Sequence, residues 1–336
     1  MKRKPGTDMI NRRKLLIALG ASALAAPLSS FAQRPAQPRR IGILYPGSQS
    51  DSNDLANVFL KALRDLGYVE GGNIVIEWRY ADGKTAPLPA LAAELVKLNV
   101  DVIVTNGTSG VRAARQATTA IPIVTASFAD PVGSGFAASL ARPGGNITGL
   151  SNLGEEIISK RMELLISVVP KVTRIAYLMN PNNTISMRMS ALLEATARKM
   201  GKAFVRVEAR AAGELVDAFS RMARERVGAL IVQEEATLNP LGAQIAGLAL
   251  RQRLPAIFGV RKIAEAGGLM SYGADYGVRY RRAAVYVDKI LKGAKAGDLP
   301  IEQPREFELV VNLITAKALG IKIPQSVLVR ATKLIE

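Results

Sequence analysis

The 336-residue chain has neither cysteine nor histidine. Without a thiol or an imidazole, Ser-His-Asp triads, cysteine nucleophiles, zinc fingers, haem histidines and disulfides are all excluded. Any chemistry must use hydroxyls, amides, carboxylates, lysine or arginine. Aromatic residues are 5% of the chain, with a single Trp, so there is little to stack on sugars or bases. Hydrophobic residues still reach 49% and charged residues 22%, which is material enough for a packed core. The length suggests roughly two domains.

Charge is scarce in one sign: 45 Lys and Arg stand against 28 Asp and Glu. Part of the excess lies at the start, where Lys2, Arg3, Lys4, Arg12, Arg13 and Lys14 precede an apolar run at 15–26 that is too short to span a bilayer. Ser30-Phe31-Ala32 follows with small residues at the two positions a signal peptidase reads. Residues 1–32 are therefore expected to be an export signal, with an uncleaved anchor as the alternative. Arg12-Arg13 resembles a twin-arginine pair, although Asn11 and a missing Phe leave the general secretion route open. No Cys follows to carry a lipid, so a soluble periplasmic protein is expected. Removing residues 1–32 takes the formal charge from +17 to +12. The remaining cations are scattered along helical stretches without interleaved aromatics, which argues against a nucleic-acid partner.

Apolar periodicity from Arg40 onward alternates between strand and helix. Strands are expected at 41–45, 74–78, 102–104 and 123–125, with helices at 54–66, 88–98 and 111–118. The second half repeats the pattern. Arg174-Ile175-Ala176-Tyr177-Leu178 echoes Arg40-Ile41-Gly42-Ile43-Leu44, and Gly67 and Gly201 close the first helix of each half at the same offset. Strands at 204–207, 230–232 and 254–258 answer the later ones. Four coincidences in one order predict an α/β chain of two Rossmann-like lobes with parallel sheets. The segment 267–273, a helix at 280–291 and a strand at 307–311 imply that the tail visits the first lobe and returns. Expected bounds are 39–153 with 273–302 for the N-terminal lobe, and 154–272 with 303–336 for the C-terminal lobe. Several crossings would make a hinge on which the lobes close over a ligand.

Chemical motifs are weak. Gly133-Ser134-Gly135-Phe136-Ala137-Ala138 fits a dinucleotide loop in letters but follows the fourth strand, where a turn explains it better. Gly83-Lys84-Thr85 lacks the earlier glycine of a P-loop, and Asn146-Ile147-Thr148 reads as a turn. No carboxylate pair stands out as an acid/base couple, so no catalytic residue, metal site or cofactor is expected.

Strand ends say more, because parallel α/β sheets bind ligands beyond the carboxyl ends of their strands. There the chain places Ser48, Asn106, Thr108, Phe128 and Asp130 in the first half, and Asn180, Glu234 and Tyr272 in the second. Capping or core packing could claim any one of them. Their shared location makes them candidates for a ligand cleft. For an amino-acid-like ligand, Ser48, Thr108 and Asn106 would hold a carboxylate, Asp130 or Glu234 an ammonium, and Phe128 and Tyr272 an apolar portion.

Several stretches resemble the periplasmic substrate-binding proteins of ABC transporters, of the kind serving tryptophan and tyrosine uptake. They include Leu66-Gly67-Tyr68-Val69-Glu70-Gly71, Asp130-Pro131-Val132-Gly133-Ser134-Gly135, Arg142-Pro143-Gly144-Gly145-Asn146, residues 265–273, Tyr280-Arg281-Arg282-Ala283-Ala284 and Phe307-Glu308-Leu309-Val310-Val311-Asn312. The resemblance covers nearly all of the chain after residue 32. It implies a hinged type I periplasmic-binding-protein architecture with three crossings and a small solute between the lobes. It further implies a monomer that delivers that solute to an inner-membrane ABC permease and ATPase. Two other readings stay open at this point: a nucleotide-using or sugar-processing α/β enzyme, and a ligand-sensing module for a membrane signalling partner.

Overall fold

The computed structural model describes residues 37–336. The export signal expected over residues 1–32 lies outside them.

The first sheet holds β1 (Arg39–Tyr45), β2 (Ile74–Tyr80), β3 (Val102–Thr105), β4 (Ile123–Phe128) and β5 (Ile147–Ser151). They lie in the order β2-β1-β3-β4-β5, all parallel. Helices α1 (Gln49–Asp65), α2 (Leu88–Lys97) and α3 (Gly107–Ala117) make the crossovers. The second sheet begins with β6 (Arg174–Met179), β7 (Ala203–Glu208), β8 (Ala229–Val232), β9 (Ala256–Phe258) and β10 (Met270–Gly273), in the order β7-β6-β8-β9-β10. Both halves thus share one strand order, as the repeat in the sequence predicts. The second lobe's helices are α4 (Gly154–Val168), α5 (Ser186–Lys199), α6 (Leu215–Arg224), α7 (Gly242–Arg251) and α8 (Arg261–Glu265).

Burial follows from helices covering both faces of a parallel sheet. Every residue of β3 and of β8 is buried, and alternate residues feed different cores. Val102 and Val104 pack on one side of the first sheet, and Ile103 on the other. In the second lobe Ala229 and Ile231 face one core, Leu230 and Val232 the other. Each fully buried Val, Ile or Leu contributes about 1.5–3 kcal/mol of hydrophobic stabilisation.

The chain crosses between the sheets three times. The first crossing joins β5 to α4. The second leaves β10 for α9 (Tyr276–Leu291), whose Tyr280, Ala283, Ala284 and Val287 pack in the core with Ile41, Ile43, Val102 and Val104. Residue 302 then bridges to Leu150 at the edge of the first sheet. From there the chain makes its third crossing, into β11 (Glu308–Asn312). Arriving from the first lobe, β11 enters the second sheet from the opposite end and pairs antiparallel with β10. Among the described residues it is the one departure from a purely parallel arrangement. Beyond α10 (Leu313–Leu319) and α11 (Gln325–Leu328), β12 (Lys333–Ile335) pairs parallel to β11.

Candidate functional site

A cavity of about 640 Å³ lies between the carboxyl ends of the two sheets. The first lobe's wall includes Tyr45, Ser50, Leu55 and Asn106, with Tyr276 at the start of α9. Asn239, Pro240, Val260, Arg261, Lys262 and Ser271 face them from the second lobe. The volume falls within the roughly 300–1,000 Å³ typical of small-molecule sites.

Glycine makes the wall thin beside the hinge. A Cβ at Gly259 would collide with the side chains of Glu234 and Arg161, and one at Gly273 with the carbonyl oxygen of Gly259. Behind these glycines lies a buried charge cluster that joins the lobes. Glu234 pairs with Arg161 of α4 and, at 3.6 Å, with Arg279 of α9. Tyr276 donates its hydroxyl to Glu234 Oε1 at 2.9 Å, Arg161 Nε donates to the Tyr272 carbonyl at 2.7 Å, and Arg279 Nη1 donates to Ser127 Oγ at 2.7 Å. The Arg279 guanidinium also lies 4.9 Å from the centre of the Tyr276 ring. Burial pushes the Glu234 carboxyl up, but the two guanidinium groups and the hydrogen bonds from Arg161 and Tyr276 outweigh it, holding it below its ordinary value.

The adjacent residue behaves in the opposite way. Glu235 has no cationic partner among the described residues, and burial pushes its carboxyl up to about 7 despite hydrogen bonds from the backbone N–H groups of Thr237 and Leu238.

Around the cavity further bonds tie lobe to lobe. Thr237 Oγ1 donates to the Gly83 carbonyl at 2.9 Å, and Arg112 Nη2 donates to Thr184 Oγ1 at 2.8 Å. Lys262 pairs with Asp54, and Arg188 of the second lobe pairs with Asp130 of the first. The two halves are therefore held closed over the cavity.

Of the eight residues singled out in the sequence, Asn106 lines the cavity. It stands at the N-cap position of α3, yet its side chain makes no capping bond, and its buried Oδ1 has no hydrogen-bond partner. Ser48 bonds to Ser50, which does line the cavity. Thr108 is buried in the first turn of α3. Phe128 is buried in the first lobe, its ring 6.2 Å from that of Phe136. Asp130, expected to meet an ammonium, instead caps Gly133 N–H at 2.9 Å and pairs with Arg188. Glu234, the other ammonium candidate, is spent on Arg161 and Arg279. Asn180 donates to Thr237 Oγ1 at 3.1 Å and accepts from Asn182 N–H at 3.0 Å. Tyr272 stacks on Phe307 at 5.7 Å, since alternation along β10 gives the cavity Ser271 and Gly273 on either side of it.

Tyr45, Asn239, Arg261, Lys262, Asp275 and Tyr276 line the cavity without having been singled out. One of them carried a readable signal: Asp275 accepts from Gly277 and Val278 N–H as the N-cap of α9, the residue type that position favours. Among the described residues no group of three or more acidic side chains is arranged to hold a metal ion.

The chain is 28% identical to a tyrosine-binding protein of Clostridioides difficile over 264 residues, which is 79% of this chain and 76% of that protein. A conserved domain protein from Vibrio cholerae superposes with a TM-score of 0.83 at 28% identity, covering 89% of this chain and all of that one. An ABC domain from Streptococcus pneumoniae in complex with L-Trp superposes at 0.82 with 24% identity, again over 89% of this chain and all of the other. Residues 41–335 match the family described as ABC transporter substrate binding protein, and this chain belongs to that family.

Proposed function

We propose that this substrate-binding protein captures an aromatic amino acid in the interlobe cavity and releases it to an inner-membrane ABC permease and its ATPase without transforming it. The observation that carries this reading is a cavity of about 640 Å³ walled by both lobes and spanned by direct lobe-to-lobe bonds. A solute that touches both walls favours the closed form, and that population shift is the signal a permease recognises. The aromatic class is supported by Tyr45 and Tyr276 in the wall, and by relatives that bind tyrosine or hold L-Trp. The basic, apolar segment at 1–32 supports export to the periplasm, where the protein would act as a soluble monomer. The three crossings support lobes of 39–153 with 273–302 and 154–272 with 303–336.

Unfolding and refolding the protein to strip it, then screening solutes by thermal shift, tests the proposal. A ligand at one hundred times its Kd stabilises the native state by about 2.7 kcal/mol. L-tyrosine or L-tryptophan is expected to raise the melting temperature. If sugars or nucleotides did so and no amino acid did, the reading would be wrong.

A further inference from the structure

Cations that lie scattered along the sequence are gathered by the second sheet. Its strands β6, β7, β8 and β9 run parallel, so the loops that enter them all open at the end of the sheet opposite the cavity. Lys171 precedes β6, Lys199 precedes β7, Arg224 and Arg226 precede β8, and Arg251 and Arg253 precede β9. All six are exposed, and none has an ion-pair partner among the described residues. Four neighbouring strands span about 15 Å, so the six charges crowd one end of the lobe. Carboxylates on the same helices are already committed: Glu225 pairs with Arg221 at 2.8 Å and Glu194 with Arg198 at 3.4 Å. The corresponding end of the first lobe is mixed, with Asp65, Glu70 and Asp101 set among Arg39, Arg64 and Lys97.

The carbonyl end of a helix carries partial negative charge and favours cations, which is reason enough for Lys199, Arg224 and Arg251 in the last turns of α5, α6 and α7. It does not account for Arg226 and Arg253. Both lie past their helices in the left-handed region at φ +54°, where a side chain is strained and Gly or Asn is the stable choice. Other helix ends in the chain use those residues: Gly67 after α1, Asn99 after α2 and Gly201 after α5. Arginine at 226 and 253 thus costs stability for a charge that pairs with nothing inside the protein, which points to a partner outside it. Six cations spread over about 15 Å match an extended anionic surface better than a small anion. Met200, 39% exposed beside Lys199, adds an apolar tip, and the four loops hold no aromatic residue on which bases could stack. The chain has no Cys to carry a lipid anchor, while its family serves a transporter set in a membrane. We infer that this basic end of the second lobe binds a bilayer through anionic phospholipid headgroups, keeping the protein at the membrane surface with the cavity, at the other end of the strands, clear of the lipid. Guanidinium groups suit the task because they take phosphate oxygens in pairs. The inference goes beyond solute capture and does not depend on it.

Flotation with vesicles tests it on residues 33–336, which hold both sheets and all of the core residues described and leave out the basic, apolar segment that would bind lipid by itself. Vesicles of phosphatidylglycerol and phosphatidylethanolamine are expected to carry the protein and to release it as salt rises, while vesicles of phosphatidylcholine leave it behind. Each cation at an anionic membrane surface contributes about fivefold in affinity, so Arg226→Gly with Arg253→Gly should weaken binding about thirtyfold. The same double variant should hold or raise the melting temperature, because Gly relieves both left-handed positions. Lys171→Gln with Lys199→Gln, at positions of ordinary backbone, should give a loss of similar size. Equal binding to both kinds of vesicle, or wild-type binding by both double variants, overturns the inference. So does a protein that ignores the anionic vesicles and binds duplex DNA, which would assign the basic end to a different polyanion. Solute capture, read by thermal shift without lipid, stands or falls separately.

Discussion

The two halves present similar residues at equivalent strand ends and put them to different uses. In the first lobe Asn106 alone separates β3 from α3, because Gly107 at φ +70° turns the chain directly into the helix. The amide oxygen of Asn106 is buried there without a hydrogen-bond partner. In the second lobe the corresponding connection, from β8 to α7, runs through residues 233–241. That loop closes on itself and on its neighbours. Gln233 Oε1 accepts from Asn180 N–H at 3.0 Å, Gln233 Nε2 donates to Ser186 Oγ at 2.8 Å, and Thr237 accepts from Asn180 at 3.1 Å. A strand end supplies polar groups in both lobes, and the length of the connection decides whether they answer one another or wait for a ligand.

If the second lobe's polar residues are structural, breaking them should cost stability first. The largest effect is expected at Glu234. Glu234→Ala leaves the buried guanidinium groups of Arg161 and Arg279 without their shared anion, which should cost about 3–5 kcal/mol in urea unfolding. A loss below about 1 kcal/mol would mean that the cluster is not what joins the lobes.

Glu235 sharpens the contrast through pH. Its folded-state value of about 7 lies above the ordinary 4.5, so the protonated form favours the folded state. Its contribution is complete below about pH 4.5 and is lost as the pH climbs through 7, by at most about 3 kcal/mol. Glu234 has the opposite sign: with its carboxyl held low, its contribution is present above pH 4.5 and is lost only on further acidification. Between pH 5 and 8 the melting temperature should therefore fall. Glu235→Gln, which keeps an acceptor for Leu238 N–H, should flatten that decline. An unchanged slope in the variant would assign the decline to another group.

On the first lobe's side the expectation reverses. Asn106→Ala removes no capping bond and deletes an unsatisfied buried oxygen, so the unliganded melting temperature should hold or rise. Affinity for the solute should drop by about tenfold, since a hydrogen bond made only with ligand is lost. A variant that loses stability and keeps its affinity would place Asn106 with the structural residues.

How far these roles could be read from the sequence differs between fold and site. The doubled strand order was legible because Arg40 in β1 and Arg174 in β6 are spaced like Gly67 and Gly201, and short apolar strands then follow in the same order in both halves. β5 was missed: Ile147-Thr148-Gly149-Leu150-Ser151 holds two hydroxyl residues and a glycine at φ +125°, whose Cβ would collide with the backbone of Thr125. β12 was missed because Lys333 and Leu334 are exposed, so tertiary pairing rather than burial defines it. At the site, sequence position located Asn106 but could not show that Asp130 meets Arg188, or that Glu234 meets Arg161 and Arg279, since these partners lie 58, 73 and 45 residues away in the chain. Tyr272 was chosen where its neighbours Ser271 and Gly273 reach the cavity, a one-residue ambiguity that alternation leaves unresolved until the register is known.

Thr237 joins the two behaviours and gives the smallest expected effect. Its hydroxyl accepts from Asn180 within the second lobe and donates to the Gly83 carbonyl across the cleft. Thr237→Val keeps the shape and removes both bonds. The bond to Asn180 lies within one lobe, so its loss should lower the unliganded melting temperature whether the lobes are open or closed. The bond to Gly83 exists only when the lobes meet, because on opening that carbonyl returns to water, so its loss acts on closure alone. Since ligand binding and closure are linked, a net loss of about 1 kcal/mol on closure reduces affinity by up to about fivefold, mainly through faster release of the solute. Stopped-flow dissociation should then show a raised off-rate with little change in the on-rate. An unchanged off-rate beside a lowered melting temperature would make Thr237 part of the second lobe's internal network alone.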